Sequence, residues 1–462
     1  MKKLSTALII FGLFVHLSML LSLALHFELL SFWPPKIKPE LTISRLQDNL
    51  KPVDVPPGAP PNVPQSLYQT RRARGLHLWD KFFWDSSIYE VGFDFFGLYK
   101  GALDLMRGRS IYEVARYTES DTVFDDEIVP YYCPFIYPPI VAYLMVPLAL
   151  LLSPWKAYVF WCLLQECLLA LCIFVSRRFF DRDIDKSIAT TMWLAFTPFY
   201  LLLYIGQTSF VIATCILLLA YWHKSGKKTA ADWAWIASVA LKLLTLIAAP
   251  ALVRFKRYRA VVLAVAVVIL ASIPYFAFKP DDAPFFAHLV ESRTIAPYGG
   301  DFSHSEVSWL LFGPESSPIA SKVFMWSVIL LSLGLTFVPK NIQFVDCLSL
   351  WICTYFLAYI RIWEHHYVMI APVLILLYFS TRSWFVLAIF VPLAMPTPLV
   401  LFAGSWTHLE TLVYHLFKLV PVAMLYAFVV KTIISRRRCE ATTRSLAGRD
   451  SVAAPMEASG TE

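Results

Sequence analysis

The feature that most restricts this chain is a long series of apolar runs, near residues 5–26, 138–152, 155–176, 187–204, 208–222, 233–252, 260–278, 319–338, 343–360, 366–380, 384–402 and 411–434. A lipid bilayer offers no water to satisfy backbone N–H and C=O groups, so such runs cross or enter it as helices. The expected fold class is an all-α polytopic membrane protein with about 12 hydrophobic segments and roughly 10–12 crossings. Composition agrees, with 58% hydrophobic and only 16% charged residues, a balance that suits lipid better than a soluble core. The formal net charge of +7 does not point to nucleic acid, because the basic residues sit in short clusters beside apolar runs, where they hold loops on the cytoplasmic side.

Those clusters are Lys2 and Lys3, Arg177 and Arg178, Lys224 with Lys227 and Lys228, Arg254 to Arg259, Lys340, Arg382, and Arg436 to Arg438. If every run crosses fully, two clusters fall outside. The conflict disappears if 138–152 and 233–252 are re-entrant or half-spanning: the first is short and begins at Pro138-Pro139, and the second carries Lys242 and ends near Pro250. Both termini are then cytoplasmic. Residues 1–27 read as an uncleaved first transmembrane helix rather than a cleaved signal, since no small-x-small site follows the apolar run. Cys162, Cys167, Cys172, Cys215, Cys347 and Cys353 lie inside apolar runs, which argues against a secreted disulfide framework.

Four regions follow: the first helix, an outer-face region 28–137, a polytopic domain 138–434, and a disordered cytoplasmic tail 435–462. Within the outer region, residues 34–66 are proline-rich and read as an extended linker. Residues 92–107 differ. Phe93, Phe96, Tyr99, Leu103 and Met106 recur at helical spacing with Asp94, Lys100, Asp104 and Arg107 between them, which predicts an amphipathic helix lying at the membrane interface.

Five segments stand in a telling order: "DFFGLYKGALDLMRGRSIYE", "FIYPPIVAYLMVPLALL", "PFYLLLYIGQTSFVIATCILLLA", "ASVALKLLTLIAAPALVRFKRYRAV" and "WEHHYVMIAPVLILL". Over roughly residues 90–380 the chain resembles glycosyltransferase family 87, the polyprenyl-phosphate-mannose-dependent mannosyltransferase-like group (DUF2029) of the GT-C superfamily. It departs from that pattern in its long proline-rich stretch and in "HSEVSWLLFG", where many relatives carry an Asn-Gln-Ser motif. The resemblance implies a GT-C fold in a bacterial inner membrane. It also implies a polyprenyl-phosphate hexose donor, mannose in most such proteins, and inverting transfer to a glycan or glycolipid hydroxyl on the periplasmic face, with no metal or other cofactor.

Under that resemblance Asp94 occupies the family's acidic position and is the expected general base, since an alcohol needs a carboxylate within reach to become a nucleophile. The plain alternative is a helix cap, and Asp80, Asp85 and Glu90 are the fallback acids. Arg361, His365 and His366 in "RIWEHHY" are candidate donors to the leaving phosphate, against the alternative of an interfacial belt of Trp363, His365 and Tyr367. Lys242 either meets the phosphate or snorkels to the cytoplasmic surface. Gln207 either binds sugar or satisfies its own loop. Tyr99, Tyr137 and His304 are secondary candidates for the acceptor, Tyr137 also serving as an interface anchor. Two acidic groups suggest metal less well than they suggest solvated loops: Asp181, Asp183 and Asp185 among basic neighbours, and Asp121, Asp125, Asp126 and Glu127 on the outer side. A transporter of a lipid-linked saccharide and a non-catalytic assembly subunit are the competing classes, because both would need the same many helices.

Overall fold

The computed structural model describes residues 2–26, 92–112, 135–284, 302–339, 341–396 and 408–452. Among them every regular element is helical. The order is α1 (Lys2–His26), α2 (Phe93–Met106), α3 (Pro139–Leu151), α4 (Pro154–Arg177), α5 (Asp183–Leu194), α6 (Pro198–Ile205), α7 (Ser209–Lys224) and α8 (Lys228–Leu241). A 3-10 turn (Leu243–Ala248) leads into α9 (Ala249–Arg254), α10 (Tyr258–Phe278), α11 (His304–Phe337) and α12 (Phe344–Ala358). A second 3-10 turn (Glu364–Ile370) precedes α13 (Ala371–Thr381), α14 (Trp384–Ala394) and α15 (His408–Val452). The proline-rich stretch and the acids Asp80, Asp85, Glu90, Asp121, Asp125, Asp126 and Glu127 lie outside the described residues.

The architecture is that of an all-α membrane protein. Among the described residues, 6 stretches are long and apolar enough to cross a bilayer: Lys2–Ala24, Pro154–Arg177, Asp183–Ile205, Tyr258–Phe278, His304–Phe337 and Leu412–Arg436. The remaining apolar helices are shorter, so the expected count of about twelve crossings is not established. Phe14 and Leu17 on α1 and Ile269 and Leu270 on α10 face outward, as lipid-facing side chains do. Lipid is as apolar as leucine, so helices hold together by close packing and interhelical hydrogen bonds. Gly12 of α1 illustrates this. A Cβ there would sit 3.2 Å from the Thr191 Cα of α5, and Thr191 donates its hydroxyl to the Leu8 carbonyl at 2.7 Å.

Two short segments are expected to be re-entrant or half-spanning, and the path of the second can be followed. At 14 residues, α8 rises only about 21 Å, and the chain then returns through the 3-10 turn and α9. Arg257, just beyond α9, donates to the Lys228 carbonyl at 3.3 Å and meets Asp232 at 3.0 Å, which brings the end of this excursion back to its start. The segment around 233–252 therefore enters and leaves at one end of the molecule. α3 lies antiparallel against α2: Tyr112 donates to the Tyr137 carbonyl before α3, and Tyr99 donates to the Leu152 carbonyl after it, both at 2.8 Å.

The structure departs from the sequence reading in two places. Asp185 is buried rather than part of a solvated loop. In the first turn of α5 it accepts from Arg182 at 2.8 and 3.1 Å and from the Tyr378 hydroxyl at 2.9 Å, and it pairs with Arg382 at 3.2 Å. Asp181 and Asp183 are exposed as expected. The backbone of α15 remains helical through Val452, where a disordered tail is expected. Within α11 the chain bends at Gly313, whose φ of 72° and ψ of 177° leave the helical region just before Pro314, and His304 bridges to Ser321 across the bend at 2.9 Å.

Candidate functional site

The site is built from the start of α2. Its cap position is Gly92, with a φ of 70° and no side-chain cap bond, and Asp94 lies inside the first helical turn. Asp94 is therefore not the capping residue. Its half-buried carboxylate sits where the helix dipole favours negative charge. The Gly92 N–H donates to the Tyr204 carbonyl at 2.7 Å, which fastens this helix start to the last turn of α6.

Immediately after Tyr204 the chain reverses at Gly206, whose φ of 72° terminates α6 in the left-handed region that glycine favours. A Cβ at Gly206 would also collide with the Phe95 side chain. Both the turn and the close approach of α2 thus require glycine. Gln207 is buried, and its Oε1 accepts from the Ser209 N–H and hydroxyl, each at 3.1 Å, and from Thr208 at 3.2 Å. That oxygen serves the first turn of α7. The Gln207 carbonyl in turn accepts from Gln165 Nε2 of α4 at 3.3 Å.

Lys242 separates α8 from the 3-10 turn that follows, with an extended backbone (φ −154°, ψ 116°). Its side chain does not return to the basic end. Its Nζ lies 2.9 Å from His366 Nε2. His366 Nδ1 accepts the Trp363 N–H at 3.4 Å and lies 3.4 Å from the Tyr355 hydroxyl. His366 belongs to the 3-10 turn Glu364–Ile370, which packs against α6 and α7 on either side of the Gly206-Gln207 reversal. His365 stands nearly perpendicular to His366, at 78° and 4.5 Å between ring centres. Its Nε2 is buried without a hydrogen-bond partner among the described residues, and burial, with Lys242 adding to it, holds this imidazole well below its usual pKa.

Asp94, Gln207, Lys242, His365 and His366 therefore stand on elements that touch one another. Arg361 is half-buried in the link just ahead of the 3-10 turn. The "HSE" segment is stapled to the same link: Phe302 N–H donates to the Ile362 carbonyl at 2.7 Å and Ser305 to the Ile360 carbonyl at 2.8 Å. Tyr99 and Tyr137 belong instead to the aromatic cluster between α2, α3 and α4, and His304 to the bend of α11. Among the described residues no three His, Cys, Asp or Glu side chains gather as metal ligands do.

One member escaped the sequence reading. Lys418 of α15 is fully buried, lies 3.6 Å from Glu364 Oε1, and donates to three carbonyls at the end of α14. The signal was present, since Lys418 interrupts the apolar run 411–434 much as Lys242 interrupts 233–252.

With the geometry in place, comparison with known proteins adds one positive result. No curated protein matches the chain. Residues 135–359, a little under half of the chain and including Gln207 and Lys242, match the model of glycosyltransferase family 87.

Proposed function

We propose that the chain is an integral-membrane glycosyltransferase that moves a hexose, mannose in the first instance, from a polyprenyl phosphate to an acceptor hydroxyl on the non-cytoplasmic face. The observation that carries this reading is the Lys242–His366 pair, 2.9 Å apart, held on elements that also carry the start of the Asp94 helix. Carboxylate and cationic donor are the two groups that the reaction needs, and the family match gives independent support.

In this mechanism the Asp94 carboxylate takes the proton of the acceptor hydroxyl as its oxygen attacks the anomeric carbon. The bond from that carbon to the phosphate oxygen breaks, and its electron pair leaves with the polyprenyl phosphate. Attack opposite the leaving group inverts the anomeric centre. Lys242, His366 and Arg361 supply donors to the phosphate as its charge grows, which is where fixed donors contribute most to the rate. Gln207 and Gly206 shape the wall against which α2 presents Asp94.

A transporter of lipid-linked saccharide is the second reading. It is favoured by a polar pair within the apolar helices: His16 of α1 lies 3.5 Å from Glu166 of α4 and 2.8 Å from the Tyr200 hydroxyl. Charged groups at such depth are typical of transport pathways. Purified protein incubated with a panel of polyprenyl-phosphate sugars and candidate acceptors separates the two readings. The glycosyltransferase releases polyprenyl phosphate in proportion to glycosylated acceptor. Intact donor appearing across a proteoliposome membrane, without release, establishes the transporter instead.

A further inference from the structure

Tyr158 of α4 stands where α2, α4 and α6 meet. The carbonyls that end a helix lack regular intrahelical partners, and at the end of α6 the Tyr158 hydroxyl lies 2.8 Å from the Leu203 carbonyl and 3.0 Å from the Tyr204 carbonyl. A hydroxyl has a single proton, so the two carbonyls share it. The Tyr204 carbonyl is also the one that accepts the Gly92 N–H at 2.7 Å, and Gly92 caps the helix whose first turn carries Asp94. The ring of the same tyrosine packs against Phe95 and Phe96, with ring centres 5.6 and 5.8 Å away. Those two residues follow Asp94 directly. A Cβ at Gly206 would lie 3.3 Å from this ring, so the reversal into Gln207 closes on it as well.

We propose that Tyr158 is a positioning residue for the reaction: its hydroxyl fixes the end of α6 and its ring fixes the first turn of α2, and together they set the reach of the Asp94 carboxylate toward the acceptor hydroxyl. The inference rests on the glycosyltransferase reading, in which Asp94 is the base. One rigid side chain makes both contacts, so a shift of either element is passed to the other. Misplacing a reacting group by about 1 Å is enough to cost on the order of 100-fold in rate. Lys242 and His366, which meet the phosphate in that reading, stand on other elements, so affinity for the donor does not depend on where Asp94 is held.

The test is single-turnover transfer by the full-length protein in detergent, with mannosyl farnesyl phosphate as donor and octyl mannoside as acceptor, expressed per folded molecule. Tyr158→Phe keeps the ring and removes the hydroxyl. Its transfer rate should fall at least about tenfold, within the range that misplacement of a catalytic group produces, while the donor concentration at half-maximal rate stays within about twofold of the wild type. In the Asp94→Asn background the same substitution should cost less than about twofold, because a residue that acts through Asp94 then has nothing left to position. A tyrosine that merely packs helices together would lower the melting temperature and leave the rate per folded molecule unchanged, and that outcome overturns the proposal. Equal fold-losses in the two backgrounds overturn it too, since they show that Tyr158 acts apart from Asp94. Should Tyr158→Phe fail to fold, Phe95→Leu, which loosens the ring contact, decides the question by the same comparison: a loss in the wild-type background that disappears beside Asp94→Asn supports the proposal, and any other result overturns it. In each of these contrary outcomes the wild type still transfers sugar, so the glycosyltransferase reading stands while the positioning role falls. A wild type that transfers no sugar overturns both.

Discussion

The two ends of the molecule use the same residue types in opposite ways. At the basic end carboxylates meet arginines: Asp185 with Arg182 and Arg382, Asp232 with Arg257 at 3.0 Å, and Asp346 with Arg436 at 2.6 Å. The Asp185–Arg382, Asp232–Arg257 and Asp346–Arg436 pairs join separate elements, whereas Arg182 lies three residues before Asp185. At the other end Lys242 meets an imidazole, and Glu364 meets a lysine already saturated by carbonyls. Acid matched to arginine makes a latch. A cation matched to an imidazole keeps a charge that a phosphate can use. The number of acids in a loop thus says little about chemistry, whereas the identity of their partners says a great deal.

The comparison breaks most sharply at Asp94. Asp94→Asn keeps the size of the side chain, and the cap residue is Gly92, so the helix should persist. Single-turnover transfer per folded molecule should fall at least about a hundredfold, the low end of what a general base contributes, with little change in melting temperature. Near-normal transfer would return the role of base to Asp80, Asp85 or Glu90.

Next come the partners on the phosphate side. Lys242→Met and His366→Ala should each lower transfer by roughly 10- to 150-fold, corresponding to loss of a charge-assisted hydrogen bond of about 1.5–3 kcal/mol. Because the two side chains are bonded to each other, the double variant should lose much less than the product of the single losses. Independent, multiplicative losses would show that they do not act as one unit.

Asp185→Asn sharpens the comparison from the other end. It weakens bonds to Arg182, Tyr378 and Arg382, so melting temperature should fall by the equivalent of about 1–3 kcal/mol while transfer per folded molecule stays intact. Loss of transfer at unchanged stability would make the aspartate cluster functional after all.

The smallest effect is one of pH. His365 lies in the 3-10 turn, outside the helices long enough to span, and burial lowers its pKa in the folded protein. The unfolded chain then takes up a proton near pH 6.5 that the folded chain refuses. The stability it contributes is complete above that pH and declines as pH falls below it. Melting temperature should drop between pH 7 and pH 5 in the wild type, and less steeply in His365→Gln. Equal slopes would remove His365 as a contributor.

Much of this was legible in sequence because its causes are local. The apolar stripe at 92–107 anticipates α2 at Phe93–Met106, and a lone lysine in an apolar run marks the break at Lys242. The burial of Asp185 was not legible, because its partners Tyr378 and Arg382 are almost two hundred residues away and only folding brings them to α5. Gln207 looked equally suited to sugar or loop, and only the structure shows its oxygen directed to Ser209. Lys418 carried the same local signal as Lys242, but its meaning depends on Glu364 and the end of α14, which no spacing rule connects to it.

The most direct measurement is a cryo-EM structure of the protein with farnesyl phosphate bound. The phosphate is predicted to lie within hydrogen-bond distance of Lys242 or His366, with its ester oxygen turned toward the α2 start that carries Asp94. Phosphate bound instead among Arg182, Arg382 and their neighbours at the basic end would contradict the assignment of the two ends.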